Sequence, residues 1–103
     1  LKELIKVKGF QVAPAEVEGE LLNCPGVADA AVVGQPDDEA GEVPVAFVVR
    51  SSDSTVSEAE VTAHLEGRLA HYKQIRAVHF IDAIPKSASG KILRRVLKTR
   101  LPT

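Results

Sequence analysis

The segment Pro85-Lys86-Ser87-Ala88-Ser89-Gly90-Lys91 holds the residue types best suited to chemistry in this chain. Small residues separate its two lysines, so the backbone can lie close against a ligand, and Gly90 can take a shape that other residues resist. Lys91 adds a mobile positive charge with three donors. A phosphate or a carboxylate is the natural target. The spacing does not fit a phosphate-cradling P-loop, which would need Gly at 85 and Ser or Thr at 92, where this chain has Pro85 and Ile92. In the opening run Lys6-Val7-Lys8-Gly9-Phe10-Gln11-Val12, apolar and polar residues roughly alternate on both sides of Gly9.

Charge sharpens the first site. All 14 acidic side chains and seven of the 13 basic ones lie in residues 1–82, whereas residues 83–103 hold Lys86, Lys91, Arg94, Arg95, Lys98 and Arg100 with no acid. Such asymmetry suits an anion-binding patch, and equally a solvated basic helix face. Other chemistries are poorly supplied. His64, His71 and His79 do not show the tight ligand pairs of a zinc site: two are read on one helix and one on a strand. No Gly-x-Ser-x-Gly elbow is present. One Tyr, three Phe and no Trp make a weak platform for single-stranded nucleic acid. Cys24 has no partner for an internal disulfide, which suits a reducing compartment. No run approaches the roughly 20 apolar residues of a membrane span.

Which elements must position these residues? Alternation about Gly9 predicts a small hairpin or bent strand. Pro14 suits the first turn of a helix, with Val17, Leu21 and Leu22 as its apolar stripe and Glu16, Glu18 and Glu20 near its positive end. Asn23 through Gly26 close it. Val27–Val33 reads as a largely buried strand, Gly34–Gly41 as an acidic loop and Val43–Val49 as the next strand, with antiparallel pairing favoured by the loop between them. Ser57 with Glu60 predicts a capping box opening a helix over 58–70. Arg76–Ile81 is a third strand. Ile92, Leu93, Val96 and Leu97 form the apolar side of a final helix. The expected fold is α+β: a small, mainly antiparallel sheet of about three strands flanked by helices, plus an N-terminal β-hairpin. The 103 residues suit one domain, and 45% hydrophobic against 26% charged content argues for a packed core over disorder. The chain contains no Met, so it is expected to be a fragment or a processed product.

With the elements in place, a resemblance becomes visible. Lys6-Val7-Lys8-Gly9-Phe10-Gln11-Val12-Ala13-Pro14-Ala15-Glu16-Val17-Glu18 and Pro85-Lys86-Ser87-Ala88-Ser89-Gly90-Lys91-Ile92-Leu93-Arg94-Arg95 resemble, in order, two core motifs of the adenylate-forming enzymes. That superfamily includes acyl- and aryl-CoA synthetases, peptide synthetase adenylation domains and beetle luciferases. Gly41-Glu42-Val43-Pro44 and Leu69-Ala70-His71-Tyr72-Lys73 fit its 4-coumarate–CoA ligase and luciferase branch.

The resemblance implies that residues 1–103 are the small, mobile C-terminal domain of such an enzyme, with the large N-terminal domain as its partner and Lys2 on the hinge. It implies ATP, a carboxylic acid and CoA as reactants, with Mg2+ held mainly by the large domain. Lys91 matches the lysine that enters the site for acyl-AMP formation, and Gln11 a residue that helps hold that intermediate. Lys6 would stabilise charge in thioester formation. Lys8, Gly9 and Phe10 would lie along CoA, with Gly9 letting pantetheine pass close to the backbone. Arg94 and Arg95 would face solvent or nucleotide phosphates. The implied setting is the cytoplasm, or a peroxisome for the parent, without nucleic acid. The alternatives are a luciferase-type or fatty-acyl-AMP-forming domain and, from another class, a small basic-tailed binding module.

Overall fold

A computed structural model describes residues 3–102; Lys2, the expected hinge, lies outside them. The first two strands, β1 (Ile5–Val7) and β2 (Phe10–Val12), form the expected hairpin. Only Lys8 and Gly9 join them, with φ of 51° and 87°. Two central residues at positive φ match a type I′ turn, whose twist suits adjoining strands.

Helix α1 (Pro14–Leu22) follows with Pro14 in its first turn. Its inward stripe is Pro14, Val17, Glu18 and Leu21. Two expectations change here: Leu22 is exposed and Glu18 is buried. From Pro14 the helical period lands on 17, 18 and 21, which turns 22 outward.

Strands β3 (Val27–Asp37) and β4 (Gly41–Arg50) form a long antiparallel pair, with Gln35, Pro36 and Asp37 opposite Val43, Glu42 and Gly41. The expected loop over 34–41 is therefore mostly strand. The Asp37 carboxylate accepts the N–H groups of Glu39 (3.2 Å) and Ala40 (2.9 Å), which lets the chain reverse within three residues.

Helix α2 (Glu58–Leu65) opens with the expected reciprocal capping box between Ser57 and Glu60. It ends five residues earlier than expected. Gly67 turns to φ 81°, and the Gln74 amide donates to the carbonyls of Leu65 and Leu69 (3.0 Å each), so orphan acceptors at the helix end are satisfied. His71 consequently sits on a separate 3-10 turn, His71–Lys73, rather than on the helix of His64.

Strand β5 (Ala77–Phe80) pairs in parallel with Val45–Val48 of β4. Helix α2 serves as the crossover that a parallel pair requires. The three expected strands and the hairpin thus form one five-stranded sheet. In it β4 pairs along its length with β3, with β5, and at Gly41 with Val7 of β1.

The final helix, α3 (Arg94–Lys98), is short. Ile92 does not join it, because Ile92 bridges back to Lys86 and the Leu93 N–H donates to the Pro85 carbonyl (2.9 Å).

Both faces of the sheet are covered. Ala30, Val32, Ala46 and Val48 pack with Val17 and Leu21 of α1 and Val61 and Leu65 of α2. Ala31, Val33 and Phe47 pack on the other face with Ile84 and Leu97. Two covered faces explain why β3 reads as a near-continuous apolar run rather than an alternating one. Phe47, 1% exposed, anchors the smaller core. Burying such a ring contributes about 1.5–3 kcal/mol.

Candidate functional site

Lys91 stands at the end of a tight turn. The Gly90 N–H donates to the Ser87 carbonyl (2.9 Å), Gly90 has φ 88°, and the Ser87 N–H donates to the Lys91 carbonyl (2.8 Å). The Lys91 N–H in turn donates to Ser87 Oγ (3.2 Å). Every one of these bonds engages backbone or Ser87, which leaves the exposed lysine side chain outside the turn. Lys91 borders an open groove of about 500 Å³ whose walls include Ala13, Pro14 and Ala15 at the start of α1. Among the described residues Lys91, Arg95, Lys98 and Arg100 enter no ion pair, so the basic tail retains most of its charge.

The hairpin presents a separate arrangement. Lys6 and Gln11 are direct register partners, and both are exposed. Opposed residues share a face of the ribbon, so these two polar side chains stand together while Ile5, Val7 and Val12 are buried. The hairpin is also tied to β4: the Lys6 N–H donates to Glu42 Oε1 (3.1 Å). Glu42 reaches it across Gly34, where an added Cβ would lie 2.6 Å from Glu42 Oε2.

Lys8, at the tip, lines a second groove of about 320 Å³ with His71, Tyr72 and Arg76. Phe10 is 55% exposed yet stacks on Tyr72 with ring centroids 4.4 Å apart. Gly9 has no atom within 4 Å of an added Cβ, so its approach is open.

The structure therefore joins Lys6 with Gln11, joins Lys8 with the Phe10–Tyr72 pair, and places Lys91 on a groove that neither set lines. Tyr72, His71 and Arg76 were absent from the sequence-derived site, since the 3-10 turn carries the first two, and the approach to β5 the third, to the hairpin tip. Nearby, the hydrogen bond from Lys73 to Glu16 (2.8 Å) pushes the lysine pKa up.

Arg94 corrects the sequence reading most. Its Nη2 donates to both Glu18 oxygens (2.7 Å each), and its Nε donates to the Val32 carbonyl (3.2 Å). Neither a solvated face nor a free phosphate binder describes it. One guanidinium nitrogen shared between both oxygens of a buried carboxylate, with Nε held by a strand carbonyl, is a charge-assisted internal tie. The sequence did carry one signal, an acid on the inward stripe of α1, but not the identity of its partner. Among the described residues no three His, Cys, Asp or Glu side chains gather where they could hold a metal ion. No described helix is long and apolar enough to cross a membrane.

A two-sided sheet, a lysine-bearing turn and a polar hairpin define a known class of domain. Residues 16–91 match the family described as AMP-binding enzyme C-terminal domain, and the chain belongs to that family. It is 61% identical over 101 residues to 4-coumarate–CoA ligase 2 of Nicotiana tabacum, covering 98% of this chain and 19% of that protein. Crystal structures of MatB from Rhodopseudomonas palustris, apo and ATP-bound, share the fold with TM-scores of 0.91 and 0.89 at 39% and 38% identity, over 96% of this chain and 20% of theirs. The o-succinylbenzoate CoA synthetase of Bacillus subtilis, in complex with its acyl-adenylate intermediate, aligns with a TM-score of 0.87 at 42% identity, over 92% of this chain and 19% of that one. The chain thus spans about one fifth of the length of the relatives it matches.

Proposed function

We propose that residues 1–103 are the mobile C-terminal domain of an ATP-dependent acid–CoA ligase acting on an aryl or acyl carboxylate of the 4-coumarate type. The reaction has two halves. The carboxylate oxygen attacks the α-phosphorus of ATP, the bond to the pyrophosphate leaving group breaks, and acyl-AMP forms. The CoA thiol then loses its proton and attacks the acyl carbon, giving the thioester and releasing AMP.

The observation that carries this reading is the presentation of Lys91. A rigid small-residue turn holds its backbone while its side chain remains exposed beside an open groove. From there the ammonium can bridge carboxylate and α-phosphate oxygens, orient them and offset the charge that gathers between them. Gln11, two residues before the groove wall at Ala13, would hold the same intermediate. In the second half the domain turns about the hinge at Lys2 and the Lys6-to-Gly9 face replaces Lys91, a lid-type step. Lys6 would then stabilise charge at the acyl carbon. Pantetheine would pass the open side of Gly9, with Lys8 and Phe10 alongside. Support comes from the ATP-bound and acyl-adenylate-bound relatives and from the separation of Lys91 from the tip of the hairpin.

The test uses the full-length ligase. Lys91→Ala should slow pyrophosphate exchange into ATP by about 100-fold or more and spare thioester formation from supplied acyl-AMP. Lys6→Ala should show the reverse. Equal loss of both halves in either variant would overturn the two-face mechanism.

A further inference from the structure

We infer that Arg94 and Glu18 are positioning residues for Lys91: their buried ion pair fixes the base of the loop from which Lys91 reaches substrate. The inference rests on the assignment of Lys91 to acyl-AMP formation.

Glu18 is 7% exposed, the buried charged residue of the core. Besides the two contacts from Arg94, its Oε2 accepts the Val32 N–H (2.8 Å). Arg94 returns to the same strand position through the Val32 carbonyl. Helix α1, strand β3 and the start of α3 are thereby closed into one ring of charge-assisted hydrogen bonds. Arg94 stands three residues after Lys91 and lines the same groove. At the loop's other end Lys86 Nζ donates to Asp29 Oδ2 (2.7 Å), also on β3. Between these two feet, the Lys86–Ile92 bridge and the bond from Leu93 N–H to the Pro85 carbonyl narrow the neck. The lysine is thus carried on a short arm standing on β3 at two points.

The two feet differ in stiffness. Lys86 and Asp29 are 40% and 31% exposed, and such pairs hold weakly. The Arg94 and Glu18 side chains are only 19% and 9% exposed, and the guanidinium is fixed in direction because its Nη2 is held by Glu18 and its Nε by the Val32 carbonyl. Loosening the inner foot displaces Lys91, while the hairpin keeps its own tie to Glu42 of β4. The adenylation half should suffer and the thioester half should not.

The experiment compares Arg94→Met with the double variant Glu18→Leu/Arg94→Met in the full-length ligase, with Lys91→Ala as reference. The double variant removes both charges together, so no unpaired ion stays buried, and the Val32 N–H and carbonyl are the groups that lose partners. Expected is a drop of about 10- to 100-fold in kcat for pyrophosphate exchange, little change in the KM for ATP, and thioester formation from supplied acyl-AMP within about twofold of the unaltered enzyme. Arg94→Lys should recover part of the lost rate. If Lys91→Ala slows exchange but a folded double variant does not, the positioning role is wrong. Equal slowing of both halves in the double variant likewise overturns it, in favour of a purely structural pair. If Lys91→Ala itself leaves exchange unchanged, the Lys91 assignment fails first and takes the inference with it.

Discussion

At the scale of single residues, the chemistry is set by which charges are engaged inside the fold and which are left free. Lys86 and Arg94 are held by Asp29 and Glu18, whereas Lys91 is not held by any carboxylate among the described residues. The six basic residues of the tail thus separate into anchors and a presented group, a division invisible in the charge count. Asp37 shows the same principle in a turn. The Ala40 N–H, aided by the charge of Arg76, lowers its pKa below the ordinary 3.8. A carboxylate with a depressed folded pKa contributes stability above its ordinary value and loses it as pH falls through the lowered one. Asp37→Ala should therefore lower the melting temperature at neutral pH and flatten its decline in the acid range below about pH 4. Thermal melts of both proteins from neutral to acid pH check this, and an equally steep acid decline in the variant would contradict it.

At the scale of elements, local rules were readable wherever the interaction itself is local. The capping box at Ser57 and Glu60, the helix entry at Pro14 and the turn at Gly9 all join residues a few positions apart. Element ends were less legible. Helix α2 stops at Leu65 because Gln74, nine residues on, supplies the capping amide, and α3 begins at Arg94 because Lys86 takes Ile92 into a bridge. The Lys8–Gly9 turn permits a clean prediction. Nothing crowds a Cβ at Gly9, so Gly9→Ala meets only the backbone penalty of positive φ. A loss of about 1–2 kcal/mol is expected, measured by denaturant unfolding, with the hairpin retained. A much larger loss would mean that the turn is packed rather than open.

At the scale of the whole molecule, the fold separates the hairpin from the loop that carries Lys91. The hairpin is tied to β4 through Glu42, while the Lys91 loop stands on β3 through Asp29 and Val32. Because β3 and β4 are paired along their length, the two surfaces are rigidly related, so under the proposed mechanism a rotation of the entire domain would exchange them at one substrate. The groove beside Lys91 is open, and the acyl and nucleotide pockets of a ligase need enclosing walls. The 103-residue chain alone is therefore expected to catalyse neither half-reaction at a detectable rate. Assays of pyrophosphate exchange and of thioester formation with the purified chain check this, and turnover in either would show that the domain holds more of the site than its grooves suggest.

Sequence by itself determined the fold class, the hairpin about Gly9 and the small-residue segment that carries Lys91, because periodicity and turn chemistry act over a few residues. Only the tertiary structure decided that Glu18 faces inward to meet Arg94, 76 positions away, that β5 runs parallel to β4, and that Tyr72 lies against Phe10. Those pairings depend on how the sheet and its two covering layers close. Position 18 reads in the sequence as one more acid of a helix's first turns, and only the closure of the fold buried it and brought Arg94 to it.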